Sequence, residues 1–299
     1  MFRTLEDLQK VIKDTKNKKK LVLAVSQDSQ SLGAIYDAYK AGVVDPVLIG
    51  SKSETEQLIS EGGYDFPDVQ IINESDPGKA VEIAVRMVHN HEADILMKGK
   101  VGTSDLLKGV LNREWGLRTG RLLSHFALFE VATYHKLIAV TDVAMNIAPN
   151  LSDKIHIVNN SVEYLNKMGI AKPKVAVLGA IEMVNENMQA TMDAALLSKM
   201  NQRDQIKNCI IDGPLAFDNA VSFESAKQKK IKSEVAGDTD LLLMPDIEVG
   251  NVLYKSLVFF AKAKVASVIL GASAPIVLTS RSDSEESKFN SILLAAIGG

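Results

Sequence analysis

Ser280 and Arg281 directly follow the apolar run APIVLT and precede a polar stretch, SDSEESKF, that opens a helical pattern. A hydroxyl, a guanidinium and a helix N-terminus brought together suit a phosphoryl oxygen or an oxyanion developing on a carbonyl. The same stretch also reads as helix punctuation. Ser282 and Glu285 fit a capping box, and the acidic residues complement the helix dipole. The two readings concern different residues and are compatible.

A second segment, MKGKVGTSDLLKGVLNREWGLRTGR (residues 97–121), is dense in cations: Lys98, Lys100, Lys108, Arg113, Arg118 and Arg121. Its glycines let backbone approach a ligand, and Thr103 or Ser104 can cap the helix that follows, where anions are favoured. The chemistry is phosphate or nucleotide binding, against the alternative of a solvated basic helix face. There is no GxxxxGK[ST] match, so the segment is not a P-loop. In TDVAMNIAPN (141–150), Asp142, Asn146 and Pro149 make a rigid polar loop or a plain turn. In IDGPLAFDNA (211–220), Asp212 and Asp218 lack the further carboxylate or histidine that a metal needs, and Gly213-Pro214 reads as a turn shaping a pocket, which puts Asp212 and Pro214 among the candidate binding residues. Asn251 and Lys255, four apart, share a face on a helix.

Other candidates fall away. His89 and His91 are two apart and do not converge on a helix, and no HExxH or GxSxG spacing occurs. Cys209 lies in the apolar NCIID and reads as a packed core thiol. Phe259 and Phe260 read as core.

The elements that must position these residues follow from periodicity. LVLAV (21–25), a helical pattern from Gln30 to Ala41, PVLIG, VQII (69–72), the Asp76-Pro77 cap and first turn of a helix, and ADILM (93–97) alternate as βαβ units with a parallel sheet. LLSHFALFEV and HKLIAVTDV read as adjacent strands with little helix between them. A helix over SDKIHIVNNSVEYLNKMG ends at Gly169, and a second α/β series runs through KVAVLGA, NCIID, DLLLMPD and ASVIL. A terminal helix spans about residues 283–297.

At 299 residues two domains are expected. The crossing is placed near residue 140, with the terminal helix returning to the first domain: 1–139 plus 276–299, then 140–275. The fold class is α/β, two α/β domains with a ligand cleft between them. A formal net charge of −3 gives no reason to expect nucleic acid as partner. The N-terminal stretch lacks a secretory apolar core, no run approaches the roughly 20 residues that span a bilayer, and one cysteine fits a reducing compartment. A cytoplasmic protein without a membrane partner is the expectation. The basic run Lys16–Lys20, broken by Asn17, reads as a solvated helix end.

Taken together and in order, MKGKVGTSDLLKGVLNREWGLRTG, LSHFALFEV, TDVAMNIAPNL, AVLGAIEMVNENMQATMDAA, IDGPLAFDNAVS, LLLMPDIEVGNVLYKSLVF and LGASAPIVLTSRSDS resemble the phosphate acetyl/butyryltransferase family, and within it the butyryltransferases. The resemblance implies a fold shared with isocitrate and isopropylmalate dehydrogenases. It implies reversible transfer of a short acyl group, butyryl or branched, between coenzyme A and inorganic phosphate. The alternative is an acetyltransferase. No metal and no redox cofactor are expected, the partners are acyl-CoA and phosphate, and a homo-oligomer is implied. Ser280 and Arg281 match the catalytic pair: Arg281 for phosphate and carbonyl oxygen, Ser280 for the thiol or transition state. Thr103, Lys108, Arg113, Ser124, Asn146, Asn251 and Lys255 match other cleft positions. Lys108 stands where acetyltransferases commonly carry arginine, which keeps the charge and loses the bidentate fork. Where acetyltransferases place a general-base aspartate this chain has Ser287, so Asp283, Glu285 or Glu286 is the substitute base, with Asp283 nearest to the pair.

Overall fold

The computed structural model describes residues 2–15, 18–280 and 283–298. The chain folds as two compact units, Glu6–Arg121 with Ala266–Gly299 and residues 1–5 with Leu122–Val265. The crossings therefore fall after Arg121 and Val265, earlier in the chain than residues 139 and 275. Both strands of the hairpin-like region at 122–143 belong to the same unit.

In the first unit, α1 (Glu6–Thr15), β1 (Lys19–Ala24), α2 (Ser29–Lys40), β2 (Val44–Gly50), α3 (Lys52–Glu61), β3 (Gln70–Asn73), α4 (Pro77–His89), β4 (Ile95–Lys98) and α5 (Thr103–Val110) alternate in the manner of βαβ units. The second unit holds β5 (Ser124–Glu130), β6 (Ile138–Thr141), α6 (Leu151–Lys167), β7 (Lys174–Leu178), α7 (Gln189–Gln202), β8 (Ile210–Leu215), α8 (Phe217–Val221), α9 (Phe223–Gln228), β9 (Leu241–Leu243) and α10 (Ile247–Phe259). β10 (Lys264–Leu270), β11 (Ile276–Val277) and α11 (Glu285–Gly298) complete the chain.

The first unit's strands run in the order β3-β2-β1-β4-β11-β10. β1 is parallel to β2 and β4, and β11 is parallel to β4. Leu21, Val22, Leu23 and Ala24 of β1 are fully buried, as expected of a central parallel strand covered on both faces. α4 begins as its sequence predicts: Asp76 accepts a hydrogen bond from the Lys79 N–H at 2.8 Å, and Pro77 takes the first turn. α11 packs against α2 and α1.

The second unit's strands run β5-β6-β9-β7-β8, with β5 antiparallel to β6 and the rest parallel. Here the structure corrects two expectations. Gly213-Pro214 is not a turn but lies inside β8, with a cis peptide bond. β8 is the last strand in the order, and an edge strand tolerates a residue with no N–H to donate. Phe259 and Phe260 are not core: they end α10 at 62% and 89% exposure. Cys209 is buried, and burial pushes its thiol up to about 12, so it is inert at neutral pH. Among the described residues no helix is long and apolar enough to cross a membrane.

Candidate active site

The predicted catalytic turn sits at the carboxyl end of β11. Ser280 is exposed, and its N–H donates to Asp283 Oδ2 at 2.7 Å, while Asp283 N–H donates back to Ser280 O at 3.2 Å. This reciprocal pair ties Ser280 to Asp283. Arg281 and Ser282 lie outside the described residues. The helix that follows is capped by Ser284: its Oγ accepts the Ser287 N–H at 3.1 Å and lies 3.0 Å from Ser287 Oγ. Ser287, where the resemblance implies that relatives carry an aspartate, is thus a hydroxyl engaged in the helix cap with no basic group to offer. Glu285 turns elsewhere, its carboxylate against Gly33 of α2 and the Tyr64 hydroxyl. Burial, then the Glu285 charge, pushes the Tyr64 phenol up.

One residue at this turn escaped the sequence reading. Lys288, one turn into α11, is 1% exposed, and its Nζ donates to Ser280 O at 2.9 Å and Thr279 Oγ1 at 3.4 Å. A buried ammonium is costly unless its donors are satisfied, so the carbonyl and the lysine fix each other. The signal was present: Lys288, Ile292 and Ala295 share one helical stripe, and a cation inside an apolar stripe requires a partner.

The cationic segment divides by burial. Lys98 ends β4 at 5% exposure and donates to the carbonyls of Gly99 at 3.2 Å and Val101 at 3.3 Å. Lys100, Thr103, Lys108 and Arg113 are exposed. Lys108 pairs with Asp105 at 2.9 Å on the surface, a contact that water largely screens. Gly102 rather than Thr103 or Ser104 is the N-cap of α5. Gly99 is required sterically, since a Cβ there would collide with the Val25 carbonyl. Because β4 lies between β1 and β11, the Lys98–Lys100 loop and Ser280 leave neighbouring strands at the same edge.

The second unit gathers a different set. Asp142, 3% exposed, accepts from the N–H groups of Ala144 at 2.9 Å and Met145 at 3.0 Å, and also from Asn146. Asn146 donates to Leu123 O at 2.9 Å, and Asn251 on α10 donates to Val143 O at 3.3 Å. A Cβ at Gly250 would strike the Asp142 carbonyl, so α10 docks against this loop through glycine. Lys255, one turn on from Asn251, is exposed. Ser124 is fully buried, with its Oγ accepting from Asn160 at 3.1 Å. Asp212 accepts from the Gly213 N–H at 2.8 Å, and Pro214 is buried in β8. Asp218 is bound by Ser225, and that hydrogen bond lowers its carboxyl pKa. Among the described residues no three His, Cys, Asp or Glu side chains are grouped to hold a metal.

An α/β enzyme with an anion-suited turn at the ends of parallel strands is the class that this fold and these residues define. The family described as phosphate acetyl/butaryl transferase matches residues 3–81 and 77–296, and the chain belongs to that family. A phosphate butyryltransferase of Clostridium acetobutylicum is 47% identical, over 99% of this chain and 98% of its own. A phosphate acetyltransferase of Thermotoga maritima is also 47% identical, over 97% and 99%. Among solved structures, a branched-chain phosphotransacylase from Enterococcus faecalis V583 superposes with a TM-score of 0.84 at 34% identity, over 94% of this chain and 98% of that one. A 4-hydroxythreonine-4-phosphate dehydrogenase from Klebsiella pneumoniae shares the fold at a TM-score of 0.60 and 12% identity, over 93% and 98%, in keeping with the dehydrogenase-like architecture expected.

Proposed function

We propose that this protein transfers a butyryl or branched short acyl group reversibly between coenzyme A and inorganic phosphate, giving acyl phosphate and free coenzyme A. The observation that carries the reading is the full-length likeness to a phosphate butyryltransferase. The likeness to a branched-chain phosphotransacylase supports a four-carbon or branched preference. The acetyl reading is favoured by the equally identical Thermotoga maritima acetyltransferase, and it changes the acyl group without changing the chemistry.

In the phosphorolytic direction a phosphate oxygen adds to the thioester carbonyl carbon, the C–S bond breaks, and the thiolate leaves to take up a proton. In reverse, ionising a thiol of ordinary pKa at neutral pH costs about 2 kcal/mol, so a base has a modest task. Donors aimed at the carbonyl oxygen contribute more, typically about 3 to 4 kcal/mol. We assign Arg281 to phosphate and that oxygen, and the Ser280 hydroxyl to the sulfur or the transition state. Asp283 is the assigned base: Oδ2 is committed to the Ser280 N–H, and Oδ1 is left for the thiol proton. Lys98, Lys100, Thr103, Lys108 and Arg113 serve phosphate groups. Ser124, Asn146, Asp212, Pro214, Asn251 and Lys255 shape the second unit's share of the substrate site.

No metal or redox cofactor enters this scheme, and no nucleic acid or membrane is a partner. A cytoplasmic homo-oligomer completes the reading. Supporting self-association, α10 and its end leave Val252, Phe259 and Phe260 at 65%, 62% and 89% exposure. The test is to incubate the protein with butyryl-CoA and phosphate and trap the product with hydroxylamine. Butyryl hydroxamate formed only with both substrates present is expected. Thiol release independent of phosphate would instead mark a hydrolase.

A further inference from the structure

The loop that leaves β6 contains a buried acid to which the reaction above gives no task. Asp142 is 3% exposed, and both of its oxygens are engaged. Oδ1 accepts from the N–H groups of Ala144 and Met145, and Oδ2 accepts from Asn146 Nδ2. Enclosed in this way, the carboxylate has no face left for a ligand.

Its effect falls on the direction in which Asn146 faces. An amide nitrogen has two hydrogens to donate. In Asn146 one goes to Asp142 Oδ2 and the other to Leu123 O at 2.9 Å. A carboxylate oxygen and a backbone carbonyl only accept, so the nitrogen must face them. Turning the amide round would set its oxygen against two others. Asn146 is half-buried, and its Oδ1 has no hydrogen-bond partner among the described residues. The side chain thus offers a ligand an acceptor and no donor.

The frame around the pair is firm. Thr141 O accepts the Met244 N–H at 2.7 Å, and Thr141 Oγ1 donates to His125 O at 2.8 Å. Ile147 O accepts the Ile247 N–H, at the start of α10, at 3.0 Å. The loop is therefore pinned on both sides of the pair, to β5, to the end of β9 and to α10.

This polarity runs against the usual use of an asparagine in acyl transfer, where the amide donates to a developing oxyanion. With both hydrogens committed, Asn146 serves neither the carbonyl oxygen nor a charged phosphate oxygen. It suits a group that has a hydrogen to give. We propose that Asp142 is a positioning residue, which holds Asn146 as an acceptor for a donor hydrogen of the substrate, carried by monohydrogen phosphate or by coenzyme A. The inference rests on the reading above that assigns Asn146 to the substrate site, and adds the direction of its contact.

The test is a double-mutant cycle of Asp142→Asn and Asn146→Leu in the full-length protein, with butyryl-CoA and phosphate varied separately. Asp142→Asn keeps the shape and sets an N–H where Asn146 needs an acceptor. Each single variant is expected to raise KM about fivefold to tenfold for one substrate, the same one in both. The double variant is expected to be no worse than Asn146→Leu alone, because Asp142 acts through Asn146. A rise for phosphate names its O–H as the donor, and a rise for butyryl-CoA names the coenzyme. Losses that add, or that fall on both substrates alike, would show a structural role for Asp142 and overturn the proposal. Should Asp142→Asn fail to fold, Asn146→Leu still decides whether the acceptor is used, since unmoved KM for both substrates overturns the proposal. A wild type that forms no acyl phosphate would sink the transfer reading instead, whereas active wild type with unmoved variants sinks this inference alone.

Discussion

Arg281, assigned above to phosphate and the carbonyl oxygen, and Lys288, hydrogen-bonded to the Ser280 carbonyl, should fail in different ways when replaced. Replacing Arg281 by alanine removes the group assigned to the developing oxyanion, and kcat/KM should fall about a hundredfold or more with the circular dichroism spectrum unchanged. Near-wild-type turnover in a folded variant would take Arg281 out of the mechanism. Among the described residues the Lys288 ammonium donates to the Ser280 carbonyl and the Thr279 hydroxyl, a contact suited to positioning Ser280. Methionine there keeps the volume and discards the buried charge. We expect Lys288→Met to lose about tenfold in kcat with the melting temperature kept or raised, and Lys288→Arg to recover part of the loss, since a charge-assisted hydrogen bond is worth about 1.5–3 kcal/mol. Full activity in Lys288→Met would show the contact to be packing alone. The place of Ser280 at the end of β11, ahead of α11, was legible because it stands between an apolar run and a helix start. The cap at Ser284 was harder to read, because several serines and acids in SDSEES satisfy the same capping pattern.

Elements are where the sequence spoke most clearly, and where its silences have physical causes. β1, α2, β2, α4, β4 and α6 fall within a few residues of their expected spans, because each has a strong period and recognisable ends. The Gly213-Pro214 pair misled because a proline in an edge strand and a proline in a turn look alike until the sheet order is known. Phe259 and Phe260 misled because apolar character does not by itself give burial. Ion pairs were invisible for the same reason. Lys154 on α6 and Asp193 on α7 meet at 2.6 Å with side chains 5% and 3% exposed. Lys154→Met strands a buried carboxylate, and urea denaturation should show a loss of about 3–5 kcal/mol, most of it regained when Asp193→Leu is added. A loss under 1 kcal/mol would mean that water reaches the pair.

At the amino ends of β6, β7 and β9, Asp238 receives Lys136 at 2.8 Å, Lys174 at 2.6 Å and His135 at 2.8 Å. Burial works to raise the Asp238 pKa, but the hydrogen bonds from Lys136, Lys174 and His135 outweigh it and hold the carboxyl far below the usual range. A depressed folded-state pKa gives stability that is complete above the unfolded value, about 3.9, and drains away as pH falls below it. The melting-temperature gap between wild type and Asp238→Asn should therefore be open at neutral pH and narrow below about pH 4. A gap that stays constant down to pH 3 would contradict the linkage.

At the scale of the whole molecule, the chain supplies each unit with its own polar set. The Ser280 turn and the cationic strand-end loop belong to the first unit, and the Asp142–Asn146 loop with Asn251 to the second. The α/β class and the two-unit build were legible from the alternation of short β-branched runs with amphipathic stretches. The crossing point was less legible, since β5 and β6 pair with each other and stay together, and only their antiparallel register reveals it. The acyl group handled is set by pocket shape, where one methylene is worth about 1 to 3 kcal/mol, and no single residue spells it out. The most direct test of the central claim is phosphate-dependent release of free thiol from acetyl-, butyryl- and isobutyryl-CoA, measured side by side as kcat/KM. Release that requires phosphate and runs about tenfold or more faster with the four-carbon substrates is predicted, and folded protein that releases no thiol from any of them on adding phosphate would contradict it.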